Sequence, residues 1–477
     1  METGSTYLIS QGLFLKAVAF IYLIAFASLA VQVKGLYGAK GIVPIDSLLQ
    51  AVKKRYTGKS QYLKLPTIFW IDASDRTLIG TCWAGIILAA TAILGWYPAL
   101  SLLVLWFLYY SFIAVGAPFL NFQWDILLLE VGFLAFLFAI QSPPPLLMVY
   151  LLWFLLFRFL FASGLSKLLL GSREWRDFTA MDYHYETQPL PTKLGYYAHQ
   201  QAKCISKLST LGTYFFELIV PLFIFSPPII RVPVFWLCVL FQLLIMLTGN
   251  YAFFNLLTIA MCIPLLPDAY LGFFENISSF TPLFGDNTYV YVLLTAVAAC
   301  LLILNAIEIV ATYAKVSMLY RILYFFREYN LINPYGLFVN MTTVRNEVVI
   351  EGSGDGESWK EYEFRWKPGD LLQGPGLVAP HQPRLDWQFW FAALSNYQRN
   401  PWLVNFMIRL LEGSEDVVKL LKENPFPDSP PRYIRARIYR YHFTDPKTKS
   451  ETGKWWTRFL LGNYTPTYSL QKTKESL

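Results

Sequence analysis

The stretch VYVLLTAVAACLLILNAIEIVATYA, residues 290–314, carries a single acid, Glu308, and no base, and KVSMLYRILYFFREYN, residues 315–330, follows it at once. As a helix rising about 1.5 Å per residue, the first stretch spans the roughly 30 Å of a bilayer's hydrocarbon core. The second is too charged to do so. Working back towards the N-terminus, comparable runs occur at about 13–33, 78–97, 99–117, 124–140, 146–165, 211–226, 232–248 and 251–267. None follows Ala314. The chain therefore reads as a polytopic α-helical membrane domain over 1–314 and a soluble C-terminal domain over 315–477.

Composition agrees with that division. Of 477 residues 55% are hydrophobic and only 15% are charged, which is too apolar for a water-soluble protein of this size. The formal charge of +7 is spread over loops and tail without forming one basic stripe, which argues against a nucleic-acid partner and leaves membrane lipid as the expected surroundings. All five cysteines fall in the membrane half and no C-x-x-C pair occurs. The N-terminus lacks a basic leader region and its apolar run includes Lys16, so it reads as a retained helix.

Two long polar loops, 34–77 and 166–210, interrupt the apolar runs, and with nine spans both face the same side as the tail. The acidic loop 268–289 falls opposite. The excess of Lys and Arg in the loops and tail assigns that shared side to the cytoplasm by the positive-inside rule. Within the tail, apolar residues from Gly336 to Glu351, the turn Gly352-Ser353-Gly354-Asp355-Gly356 and the alternation of Tyr362, Phe364 and Trp366 with charged residues predict a hairpin. A helix is expected from Leu385, another from Pro401, and a strand over Ile434–Phe443. These elements suit either a small α+β or a β-sandwich-like domain.

Motifs with a familiar outline fail on detail. Gly58-Lys59-Ser60 lacks the upstream glycine of a phosphate-binding loop, Lys53 standing in its place. Glu351 replaces the first glycine of a nucleophile elbow around Ser353. Ionisable residues at membrane depth are more informative, because burying a charge is costly unless it is paired or used: Lys16, Asp125, Glu130, Arg158, Glu217 and Glu308 all lie in or beside spans. Asp125 and Glu130 share one helix but point about 140° apart, so they must meet different neighbours, with Arg158 a partner for Glu130. Structural ion pairs and catalytic groups both satisfy this pattern. In the 166–210 loop, His184 stands near Asp182, Glu186 and His199, yet no metal-binding spacing accompanies it. No metal or other cofactor is implied.

Several segments together are similar to the lipase maturation factor family: Asn121-Phe122-Gln123-Trp124-Asp125 with Leu127-Leu128-Leu129-Glu130, Trp175-Arg176-Asp177 through Pro189, and Phe216-Glu217-Leu218. The likeness continues through Lys367-Pro368-Gly369-Asp370, Arg384-Leu385-Asp386-Trp387, Asn424-Pro425-Phe426 and Gly453-Lys454-Trp455-Trp456. It implies a multi-pass protein of the endoplasmic reticulum membrane that helps secreted dimeric lipases, such as lipoprotein lipase, to fold and assemble. In a bacterium the membrane would be the plasma membrane. The resemblance also implies a maturation factor that is not itself a lipase, with the tail in the lumen, opposite to the charge count. Sequons at Asn340 and Asn463 lie in the tail and one at Asn276 lies in the opposite loop.

Exposed aromatics give large contact area at low ordering cost, which makes Trp387, Trp390, Trp455 and Trp456 the candidate client contacts. The alternative is an integral-membrane enzyme of vitamin K-dependent carboxylase-like architecture acting on a lipid or protein substrate. Its weak candidates for catalysis are Asp125, Glu130, His184, Glu186 and Glu217, with Lys167 beside them. A polar cavity joining Glu130, His184 and Glu217 would favour the enzyme; isolated ion pairs would favour the folding factor. Transport ranks last, since the polar Asn250 and Asn255 are accompanied by no internal repeat.

Overall fold

The computed structural model describes residues 6–56, 58–314 and 316–470; Lys315, where the sequence places the start of the soluble domain, lies outside them. Among the described residues, helices fall on or beside each of the nine apolar runs: α1 (Leu8–Ala30), α2 (Asp75–Ile93), α3 (Pro98–Val115), α4 (Gln123–Phe138), α5 (Leu146–Leu169), α6 (Lys203–Tyr214), α7 (Pro228–Thr248), α8 (Phe254–Cys262) and α9 (Thr288–Ala314). Six of these, α1, α2, α3, α5, α7 and α9, are long and apolar enough to cross a membrane. The other three follow the predicted order but are shorter or interrupted. α6 passes into a π turn at Phe215–Ile219 and a 3-10 turn at Val220–Phe223, and α8 ends in a 3-10 turn at Ile263–Leu265.

α1 lies inside the bundle, with Phe14, Tyr22 and Phe26 fully buried against α2, α3 and α4. Gly132 makes the approach of α4 possible, because a Cβ there would collide with the Tyr22 hydroxyl. At one end, the Asp268 carboxylate accepts from the backbone N–H groups of Leu8, Ile9 and Ser10 at 2.7–3.1 Å. A carboxylate there satisfies donors that the helix itself leaves free and complements its dipole. The acidic loop 268–289 therefore sits at the N-terminal end of α1.

The tail covers the other end, and both long loops meet it there. From the 34–77 loop, Lys34 pairs with Asp416 at 3.1 Å and the carbonyl of Gly41 accepts from Arg409. From the 166–210 loop, the Tyr196 hydroxyl donates to the Thr444 carbonyl and the Trp175 indole to the Phe338 carbonyl. The amphipathic helix α10 (Ser317–Glu328) folds back after α9, its Arg327 gripping Glu308 at 2.6 Å.

The tail holds one antiparallel sheet of four strands in the order β2-β1-β3-β4: β1 (Arg345–Ser353), β2 (Lys360–Glu361), β3 (Tyr433–Phe443) and β4 (Trp456–Asn463). Representative register pairs are Glu351 with Glu361, Val348 with Ile438, and Phe443 with Trp456. Helices α11 (Arg384–Ala393) and α12 (Pro401–Leu411) pack against it, so of the two architectures open in the sequence the domain is α+β. The first strand starts at Arg345, not Gly336, because 336–344 is irregular chain bound to the bundle. The Gly336 carbonyl accepts from Gln123, and the Val339 carbonyl from the Ser172 N–H. β2 is short for a similar reason: after Tyr362 the chain leaves β1, and the Glu363 carbonyl accepts from Lys422 instead.

Candidate functional site

Of the charged residues singled out in the sequence, Glu308 pairs with Arg327 and Lys16 donates to the Ile93 carbonyl, while Asp125 and Glu130 anchor two seams with the tail and Glu217 borders a cavity. Asp125 sits in the first turn of α4, where its Oδ2 accepts from the Phe122 N–H at 3.1 Å. Arg384, at the start of α11, enters from the tail and grips it with both terminal nitrogens, at 2.9 and 3.0 Å. The same guanidinium donates to the Phe119 carbonyl and the Tyr109 hydroxyl, and that hydroxyl donates to Asp125 at 2.6 Å. Every group is buried.

Glu130, on another face of the same helix, pairs with Arg158 of α5. Its second oxygen accepts from the Asn333 N–H, the Asn333 amide and the Tyr335 hydroxyl, at 3.1, 2.9 and 2.7 Å. Arg158 also donates to the Asn333 carbonyl. The two acids thus meet different neighbours, as their spacing predicts, and both neighbours include tail or linker residues. A third seam uses Arg345, which donates to the carbonyls of Glu186, Gln188 and Pro189 and pairs with Glu347 at 2.7 Å. The Glu186 carboxylate in turn accepts from the Phe443 N–H at 2.7 Å. Asp125, Glu130 and Glu186 are therefore committed to holding the tail against the bundle.

His184 and Glu217 do come together. Glu217 lies in the π turn after α6, an insertion often found at functional positions. Gly164 of α5 lets the two segments approach, since a Cβ on it would stand 2.9 Å from the Glu217 Cβ. Across this contact the Lys167 ammonium donates to both carboxylate oxygens, at 2.8 and 2.7 Å. Lys167, Glu217 and His184 border a cavity of about 90 Å³ otherwise walled mainly by Trp175, Met181, Phe241, Ile245, Phe254, Leu337 and Phe338. The Tyr251 hydroxyl donates to Gln188 at 2.7 Å, so the 3.1 Å contact with His184 Nε2 requires an N–H on that nitrogen. Burial, aided by the Lys167 ammonium, pushes His184 down to about 4, so it is neutral at pH 7. Glu130 does not line this cavity.

Among the described residues, no three His, Cys, Asp or Glu side chains gather to hold a metal ion. Of the four tryptophans, Trp387 and Trp456 are interior, at 2% and 1% exposure. Trp387 packs edge-on against Trp124 with centroids 4.8 Å apart, and Trp456 stacks on Phe443 at 4.2 Å. Trp390 is half-buried and donates to the Thr187 carbonyl; Trp455, also half-buried, lies under the Lys449 ammonium at 3.6 Å. Arg384 and Arg345 carry two of the three seams but were not among the charges weighed as site candidates. Both lie in the tail, where an arginine raises no membrane-depth alarm.

Against family models, residues 9–273 match the lipase maturation factor transmembrane domain and residues 331–466 match the lipase maturation factor C-terminal domain. The chain belongs to the lipase maturation factor family. Lipase maturation factor 2 of Xenopus tropicalis is 33% identical over 96% of this chain and 82% of its own length. The human lipase maturation factor 2 shows the same identity and coverage, and mouse lipase maturation factor 1 is 33% identical over 100% of this chain and 89% of its own length. No solved structure matches. The boundary between the two family domains falls across α9 and α10, so the seams built by Asp125, Glu130 and Arg345 join one family domain to the other.

Proposed function

We propose that this protein assists the folding and assembly of secreted dimeric lipases at the endoplasmic reticulum membrane, with the tail and both long loops on the luminal side. The observation that carries the reading is the similarity to named lipase maturation factors across both domains. The seams support it: a tail fixed to its anchor by one buried charge pair and by hydrogen bonds from and to buried charged groups is a rigid platform, and a rigid platform loses little freedom on meeting a client. Client contact is assigned to the tail's partly exposed aromatic rim, with Trp390 and Trp455 facing the client while Trp387 and Trp456 hold the surface in shape. Exposed Phe459, Leu460 and Leu461 of β4 extend that rim.

The test is complementation in cells that lack their own maturation factor, with secreted lipoprotein lipase activity as the readout. The chain restores activity, and Trp455→Gln reduces it at unchanged levels of the factor. Failure to restore activity by a correctly localised chain would refute the reading. Full activity of Trp455→Gln would remove that residue from the client surface.

The enzymatic alternative draws on the Lys167, Glu217 and His184 cavity alone. The commitment of Asp125 and Glu130 to packed ion pairs, and of Glu186 to hydrogen bonds with the tail, weighs towards the folding factor.

A further inference from the structure

The cavity beside Lys167 takes no part in the three seams, and its chemistry selects a ligand. By the same measure of volume a single water needs about 10–15 Å³, so about 90 Å³ leaves room for a larger group. Its wall, with Phe241, Ile245 and Phe338, offers few partners to water and good contact to hydrocarbon. The polar part of that wall is electrically neutral and internally matched. The three ammonium hydrogens of Lys167 are directed to the two oxygens of Glu217 and to the Ser163 carbonyl.

A charged head group would break this match. An anion would draw Lys167 away and leave Glu217 buried without its cation; a cation would do the reverse. Either exchange strands a buried charge. A neutral hydroxyl asks for less, because each carboxylate oxygen of Glu217 can accept a further hydrogen bond while keeping Lys167. The cavity lies where the C-terminal ends of α5 and α7, at Lys167 and Ile245, meet Trp175, Met181 and His184 of the 166–210 loop.

We propose that the cavity binds a neutral membrane amphiphile, a hydrocarbon chain ending in a hydroxyl group that donates to Glu217. The site is independent of the client-folding reading and is tested without a client. The full-length protein, in phosphatidylcholine nanodiscs, is photolabelled with diazirine-bearing hexadecanol and the labelled peptides are mapped. Label is expected on the segments around Ile245 and Phe338, displaced by excess hexadecanol but not by hexadecylamine or palmitate. Ile245→Trp, which fills the space, should lower labelling by about tenfold. If that variant fails to fold, Ile245→Phe at unchanged thermal stability carries the same expectation.

Absence of label from these segments overturns the proposal. So does label spread along the exposed α7 residues Leu240 and Leu244 and indifferent to a folded cavity-filling variant. Equal displacement by the amine or the carboxylate overturns it too, because the selection for a neutral head would be gone.

Discussion

Replacing Arg384 by methionine isolates the energetics of the seam at Asp125. The substitution keeps an apolar side chain of comparable reach but removes four hydrogen bonds, to both Asp125 oxygens, the Phe119 carbonyl and the Tyr109 hydroxyl. Removing one partner of a buried ion pair costs about 3–5 kcal/mol, mostly from the charge left behind. Asp125 would still accept from Tyr109 and from the Phe122 N–H, which places Arg384→Met near the lower end, at about 3 kcal/mol. In the double variant with Asp125→Leu no charge is stranded, and roughly half or more of the loss should return. The assay is denaturant unfolding of the full chain in detergent, with limited proteolysis of the 316–344 linker reporting tail release. If the double variant is as unstable as the single, the cost does not come from an uncompensated carboxylate and the account of this seam is wrong.

Glu130→Gln should destabilise by about 3 kcal/mol, because Arg158 loses its counter-charge in a buried site, and should raise proteolysis near Asn333; unchanged cleavage would contradict its role in tail docking. Burial, then the charges of Arg384 and Arg365, push His381 down to about 4, as burial and Lys167 do for His184. Both groups bind protons more readily unfolded, near pH 6.5, than folded, so stability should be complete above about pH 6.5 and fall steadily towards pH 4. Thermal unfolding across that range should be less pH-dependent in His381→Gln, and an unaltered slope would exclude this histidine as a source. If the tail is luminal, exposed Asn340 or Asn463 is glycosylated and Asn276 is not; modification of Asn276 alone would place the tail on the other side.

The membrane division was legible because it rests on run length and the absence of charge, quantities that need no partner. Helices stand at all nine expected runs but only six are long and apolar enough to cross a membrane; the divergence of Asp125 and Glu130 followed from helical geometry, and Arg158 on the next helix is the partner expected for Glu130. The hairpin turn, α11, α12 and β3 were readable from local periodicity and from Pro401. Other features were not. β4 mixes exposed Phe459, Leu460 and Leu461 without alternation, because both of its faces are open. The shortness of β2 and the irregular 336–344 segment reflect competition from distant backbone, such as Lys422 and Ser172, which local pattern cannot register. The grouping weighed in the sequence, Glu130 with His184 and Glu217, is met only by the last two, because α5, the turn after α6 and the loop converge on them while Glu130 faces Arg158 and Asn333. Burial of Trp387 and Trp456 likewise depends on contacts with Trp124 and Phe443 that composition does not reveal.

The seam between Asp125 and Arg384 also has a consequence for biosynthesis. The chain is made from its N-terminus, so the carboxylate of α4 emerges 259 residues before the guanidinium that neutralises it. Glu130 similarly acquires Asn333 and Tyr335 only after every membrane helix has been synthesised. Until then the bundle carries incompletely matched acids, and a chain that stops after α9 can never match them. Completion of the chain through Arg384 is thus what matches the acids of the membrane domain, and a nonsense or frameshift lesion before that point leaves Asp125 buried without its cation besides deleting part of the tail.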